Sequence, residues 1–65
     1  MQVGDLVRVP TWQLKRAYWY SHRNFGTGFV FKVTPHTVHV RWSSGECFPY
    51  KTRTAECLEV INESR

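Results

Sequence analysis

Thr37-Val38-His39-Val40-Arg41-Trp42 alternates strictly, with Val38, Val40 and Trp42 on one side and His39 and Arg41 on the other. Successive side chains of a strand point to opposite faces, so this stretch reads as a half-buried strand. The flanking residues agree. Upstream, Thr34-Pro35-His36-Thr37 is a tight turn in which Pro35 presets the φ of the first central position. Downstream, Ser43-Ser44-Gly45 closes a second hairpin, with Gly45 taking a positive φ. The strand therefore lies between two antiparallel neighbours, expected at residues 26–34 and 46–51.

Working outward, Val30 and Val33 are both apolar but sit three apart, which predicts a β-bulge near Lys32. Gly26 and Gly28 suit a bend or a close backbone approach. Residues 3–9 form a first strand, with Val3, Asp5, Val7 and Val9 on one face and Leu6 and Arg8 on the other; Pro10 ends it. Residues 54–56 read as one 3₁₀ turn and residues 58–61 as the last strand. The helix formers in residues 11–25 span too few positions to hold a helix without packing, so a long folded loop with one helical turn is expected there. Short strands, short turns and one long first connection predict an all-β, five-stranded small barrel or sandwich, of which the barrel is the favoured form. It occupies residues 1–62, with 63–65 as a tail. Closing the sheet would remove exposed edges. The expected core is Val7, Val9, Val30, Val33, Val38, Val40, Trp42 and Leu58.

Sixty-five residues make one domain, with little room for the deep pocket of an ordinary enzyme. The hydrophobic fraction of 42%, with 15% aromatic residues, excludes a disordered tail. The net charge of +4 is unevenly placed. Residues 1–53 carry eight basic side chains against Asp5 and Glu46, whereas residues 54–65 carry Glu56, Glu59 and Glu63 against Arg65. A basic body attracts nucleic acid, acidic proteins or anionic surfaces. Met1-Gln2-Val3-Gly4-Asp5 lacks the basic and apolar regions of a signal peptide, and no apolar run is long enough to span a membrane. A reducing, intracellular (cytoplasmic) setting is therefore expected, with Cys47 and Cys57 as free thiols.

Four segments carry a family resemblance: Val3-Gly4-Asp5-Leu6-Val7-Arg8-Val9, Gly26-Thr27-Gly28-Phe29-Val30-Phe31-Lys32-Val33, Thr37-Val38-His39-Val40-Arg41-Trp42-Ser43-Ser44-Gly45, and Cys57-Leu58-Glu59-Val60-Ile61. In this order they resemble the SH3-like small barrels over most of the chain outside residues 11–25. The plan is most similar to that of short proteins from marine and cyanobacterial phages, which implies a virion component or a binder of a host protein. Ala17-Tyr18-Trp19-Tyr20 before a glycine-bearing strand resembles the SH3-like component of photosystem I, although Lys51-Thr52-Arg53-Thr54 replaces that family's asparagine-rich segment. His22-Arg23-Asn24 with the terminal Leu58-Glu59-Val60-Ile61 is similar to the variable chain of ferredoxin–thioredoxin reductase. Those two resemblances imply an accessory member of a photosynthetic redox complex that binds no cofactor itself. The plan also resembles KOW and Tudor-like barrels, which implies binding of nucleic acids or modified peptides.

Residues 12–25 interleave Trp12, Tyr18, Trp19, Tyr20 and Phe25 with Lys15, Arg16, His22 and Arg23. Three roles fit this mixture: a lid over the core, a protein-binding face with aromatic and arginine anchors, and a surface that stacks bases and neutralises phosphates. At least one of Trp12, Trp19 and Tyr20 is expected to stay exposed. With Val30 inside, Phe29 and Phe31 face outward or lie under the long loop, and Arg41 shares the outer face of its strand. The expected binding residues are Trp12, Arg16, Trp19, Tyr20, Arg23, Phe29, Phe31 and Arg41. Protein docking is the favoured use, nucleic-acid binding the alternative; no small-molecule substrate, cofactor or membrane is expected. His22, His36, His39, Cys47 and Cys57 include no Cys-x-x-Cys and no His-x-x-x-His, so no metal site is expected. Asp5 and Glu46 are the only acids of the body, and no catalytic constellation is visible.

Overall fold

A computed structural model describes residues 1–61. The tail expected at 63–65 lies outside the described residues. Five strands, β1 (Leu6–Arg8), β2 (Gly28–Val33), β3 (Thr37–Trp42), β4 (Cys47–Lys51) and β5 (Glu59–Val60), form one antiparallel sheet in the order β4-β3-β2-β1-β5. Each hairpin closes as its turn residues predict. Thr34 N–H donates to Thr37 O at 2.8 Å, and Gly45, at φ 101°, donates to Trp42 O at 2.8 Å. The β2–β3 register slips between Val30 and Lys32, which is the predicted bulge.

The all-β class holds, but the sheet is not sealed by pairing. No ladder joins β4 to β5 among the described residues. On that side the chain packs α1 (Thr52–Ala55) against β3 and β4. This one-turn helix starts two residues before the expected turn. Its position is held by Thr52 N–H donating to His36 O at 3.0 Å and Glu56 N–H to Thr52 O at 3.1 Å.

Residues 11–25 differ most from expectation. They form two 3₁₀ helices, Thr11–Lys15 and Ala17–Asn24, separated at Arg16, whose φ −85° and ψ 146° are extended. A 3₁₀ helix has three residues per turn, so side chains three apart lie one above another. Trp19, His22 and Phe25 share that spacing and face the sheet; Tyr18, Tyr20 and Arg23 face away. Packing supplies what the local propensity lacks: Trp19 is only 3% exposed and belongs to the core.

Seven of the eight expected core residues are buried. The exception is Val33, which is 41% exposed. It pairs with buried Val38 across β3, so it lies on the inner side, but at an end of the sheet that nothing covers. Tyr50 and Ala55 complete the core. Asp5 is buried as its place in the alternation predicts; its Oδ2 accepts the Gln2 N–H at 2.9 Å.

Gly28 marks a close approach. A Cβ there would fall 2.6 Å from Val40 Cγ1 and 2.9 Å from two ring atoms of Trp42. Gly28→Ala is therefore expected to cost about 1–3 kcal/mol through overpacking. Val33→Thr should stay within about 0.5 kcal/mol of the wild type, as an exposed substitution does. Urea unfolding of the two variants checks both values.

Candidate functional site

The inner rings meet at His22. Its centroid lies 4.6 Å from that of Phe25, 4.9 Å from Trp19, 5.6 Å from Phe48 and 5.7 Å from Trp42. A hydrogen-bond chain runs through this cluster. Trp42 Nε1–H donates to Tyr50 Oη at 3.0 Å, and Tyr50 Oη lies 2.7 Å from His22 Nε2. The indole can only donate, so Tyr50 Oη accepts from Trp42; between Tyr50 Oη and His22 Nε2 the imidazole tautomer sets which atom donates. Nδ1 faces Ser21 Oγ at 3.4 Å. Burial pushes the Tyr50 phenol up to about 12 and lowers the His22 pKa from its ordinary 6.5. Burial thus disfavours the charged form of both groups.

This places the eight sequence-predicted binding residues. Trp19 differs from the expected exposed face: its ring packs against Tyr50 and His22 in the core, with only its edge reaching the floor of the groove beside Trp12. His22, read with the basic residues of the segment, is likewise inside, only 7% exposed. Trp12 and Tyr20 remain outside. Each has a guanidinium on one face: Arg16 lies 5.9 Å from the Trp12 centroid, and Arg23 lies 4.8 Å from that of Tyr20 while its Nη1–H donates to the Tyr20 hydroxyl at 2.8 Å. Phe29, Phe31 and Arg41 are exposed on the outer face of the sheet, where Phe29 and Arg41 are cross-strand neighbours and Phe31 meets the His39 ring at 6.0 Å.

The residues thus separate into different surfaces. Trp12 and Arg16 line a groove of about 480 Å³ together with Gln13, Tyr18, Arg53 and Cys57. Phe29 and Arg41 line a shallower hollow on the outer sheet face, with Leu6 and Ser43. The Tyr20–Arg23 pair lines neither. A second hollow, of about 710 Å³, adjoins the groove: it shares Arg53 and Thr54 and continues over Lys51, Pro35 and His36. Sequence reasoning assigned no binding role to Tyr18, Lys51, Arg53 or His36. The signal for Tyr18 was available, because the three-residue spacing of Trp19, His22 and Phe25 inward leaves Tyr18 outward. Arg53 reaches the groove only because β3 and β4 hold α1 across from the 11–25 segment, which no local pattern announces.

No acid lines either hollow, and no ion pair to Arg16, Lys51 or Arg53 is present among the described residues. The ion pair seen is Arg8 with Glu59, 3.0 Å apart across β1 and β5. Cys47 is exposed, Cys57 half-buried, and both are free thiols. Among the described residues, no three His, Cys, Asp or Glu side chains gather as a metal site, and no helix is long and apolar enough to cross a membrane. Comparison of the chain with protein-family models, curated proteins and solved structures found no match.

Two outcomes follow from the buried cluster. Trp19→Ala should cost about 3–5 kcal/mol, comparable to the whole stability of a domain this small, and collapse the circular dichroism signal of the folded state. Folding also favours neutral His22, so its contribution is complete above pH 6.5 and is lost as pH falls through 6.5 towards the lower folded-state value. Melting temperature should drop between pH 7 and 5, and the drop should be smaller in His22→Gln; equal slopes in the two proteins would dissociate the lid from His22 ionisation.

Proposed function

We propose that the chain is a non-enzymatic protein-docking module, a small barrel of the SH3-like kind that binds its partner in the groove between the 11–25 segment and α1. The architecture supports this reading: a five-stranded antiparallel sheet with a bulged second strand, a long first connection, and one helical turn before the last strand. The observation that carries the function is an exposed ring, Trp12 at 61%, standing beside Arg16 at the rim of a concave surface. Tryptophan and arginine are the residue types that dominate binding energy at protein interfaces. A core role would have buried Trp12 as it buries Trp19. The phage-type resemblance fits a small attached component of a virion or a binder of a host protein, with the assembly adding to a marginal stability. No general acid–base pair faces the groove, since His22 is turned into the core and engaged by Tyr50.

Arg16, Lys51 and Arg53, without ion pairs among the described residues, favour single-stranded nucleic acid as the second reading. Salt separates the two. A strand meeting three phosphates would lose roughly twentyfold in affinity between about 50 and 200 mM salt. A docked protein anchored by Trp12 would lose much less.

Trp12→Ala decides the matter. The variant should melt within about 0.5 kcal/mol of the wild type and lose the protein partner that the wild type retains from its native source. A complex that survives the substitution would move the docking surface elsewhere, and one that dissolves in 200 mM salt and contains nucleic acid would hand the groove to the second reading.

A further inference from the structure

We infer that the occupant of the groove is a short, extended, acidic peptide segment of the partner protein, with carboxylates along Lys51, Arg53 and Arg16 and one apolar side chain seated at Trp12 and Tyr18. This inference rests on the protein-docking reading and names the chemistry of the ligand. The two hollows adjoin, sharing Arg53 and Thr54 in their linings, and a ligand that crosses Arg53 would use both as one trough. Its two ends differ in character. One holds Trp12, Tyr18, Trp19 and half-buried Cys57; the other holds Pro35, His36, Lys51 and the Thr37 and Thr52 residues. Arg53 stands where they join, and Arg16 stands on the ring-lined side.

Charge complementarity selects the ligand. Three fixed cations line the trough, no acid does, and no ion pair within the described residues neutralises them. The shape selects an extended chain. An extended peptide advances about 3.3 Å per residue, so roughly six residues span about 20 Å, within the 26 Å longest extent of the molecule. The pairing of ring and cation selects the mode of contact. Arg16 lies over one face of Trp12, which leaves a base one ring face fewer to stack on. A carboxylate instead meets the guanidinium while an apolar side chain packs on the remaining ring surface, so one peptide uses both members of the pair.

Calorimetric titration tests this with three probes: the hexapeptide Asp-Glu-Asp-Glu-Pro-Phe with blocked ends, its amide counterpart Asn-Gln-Asn-Gln-Pro-Phe, and an oligothymidylate of eight nucleotides. The acidic peptide should bind at least tenfold more tightly than the amide peptide. Arg53→Gln should remove most of that preference, and Trp12→Ala should weaken the acidic peptide about tenfold while leaving the preference for acid in place. Both variants alter exposed side chains, and matching circular dichroism spectra confirm that they are folded. If the two peptides bind equally and Trp12→Ala weakens both, docking stands and the acidic ligand is wrong. If the acidic peptide binds but neither substitution matters, the groove itself is wrong. Absence of acidic-peptide binding at millimolar concentration, or a preference for the oligothymidylate, overturns the inference outright.

Discussion

The hydrogen-bond chain from the Trp42 indole through the Tyr50 hydroxyl to His22 Nε2 fastens the long first connection to the sheet. Trp42 comes from β3, Tyr50 from β4 and His22 from the second 3₁₀ helix, so three separate pieces of chain must arrive together to satisfy it. All three partners are buried, and a buried polar group left without a partner costs about 1–3 kcal/mol. In a chain this short, losing one link is comparable to a large part of the total stability. The chain therefore selects the lid conformation more sharply than the apolar rings around it, which could pack in several ways.

Fixing His22 settles the two rings on either side of it. Trp19, one 3₁₀ turn earlier, is carried inward to Tyr50, and Phe25, one turn later, lies on Trp42 and Phe48. Tyr18 and Tyr20 are turned outward by the same rotation. The extended residue Arg16 then breaks the helix and directs the Trp12 segment over the space beside α1. The groove is thus a seam between two short helices, each stabilised by the sheet and neither able to form alone. Among the described residues its cations have no ion pair: Arg16 and Arg53 lie on this seam and Lys51 in the adjoining hollow, while Glu59 is on β5, paired with Arg8.

The edges of the open sheet are handled by other means than closure. Trp42 N–H donates to Glu46 O at 2.7 Å and Thr52 N–H to His36 O at 3.0 Å. Alternation between these points makes His39 and Pro49 a non-hydrogen-bonded pair, so the Pro49 nitrogen faces away from β3, along the exposed edge. A proline at that position offers no N–H to an invading strand. At the other edge β5 is two residues long, too short to template a partner. Docking by strand addition is disfavoured at both edges, which is consistent with a binding surface built from side chains.

Much of the sheet was legible in the sequence. The alternation of Val38, Val40 and Trp42, the Pro35 and Gly45 turns and the three-residue gap between Val30 and Val33 are local signals, and a strand's two-residue period turns them directly into faces, hairpins and a bulge. The same period placed Val33 on the correct side but could not reveal that the core ends before reaching it, because burial depends on what lies opposite. The candidate site was only half legible. That rings and arginines crowd residues 12–25 is written in the chain, and Trp12, Arg16, Tyr20 and Arg23 do remain outside. Which ring turns inward was decided by Tyr50, a residue 28 positions away from His22. That Arg53 joins Arg16 was decided by the packing of α1. The sequence by itself determined the strands, their turns and the basic-aromatic character of the first connection, since these depend on neighbours along the chain. Only the tertiary structure divided the rings between core and groove, since hydrogen bonds and packing partners distant in sequence made that choice.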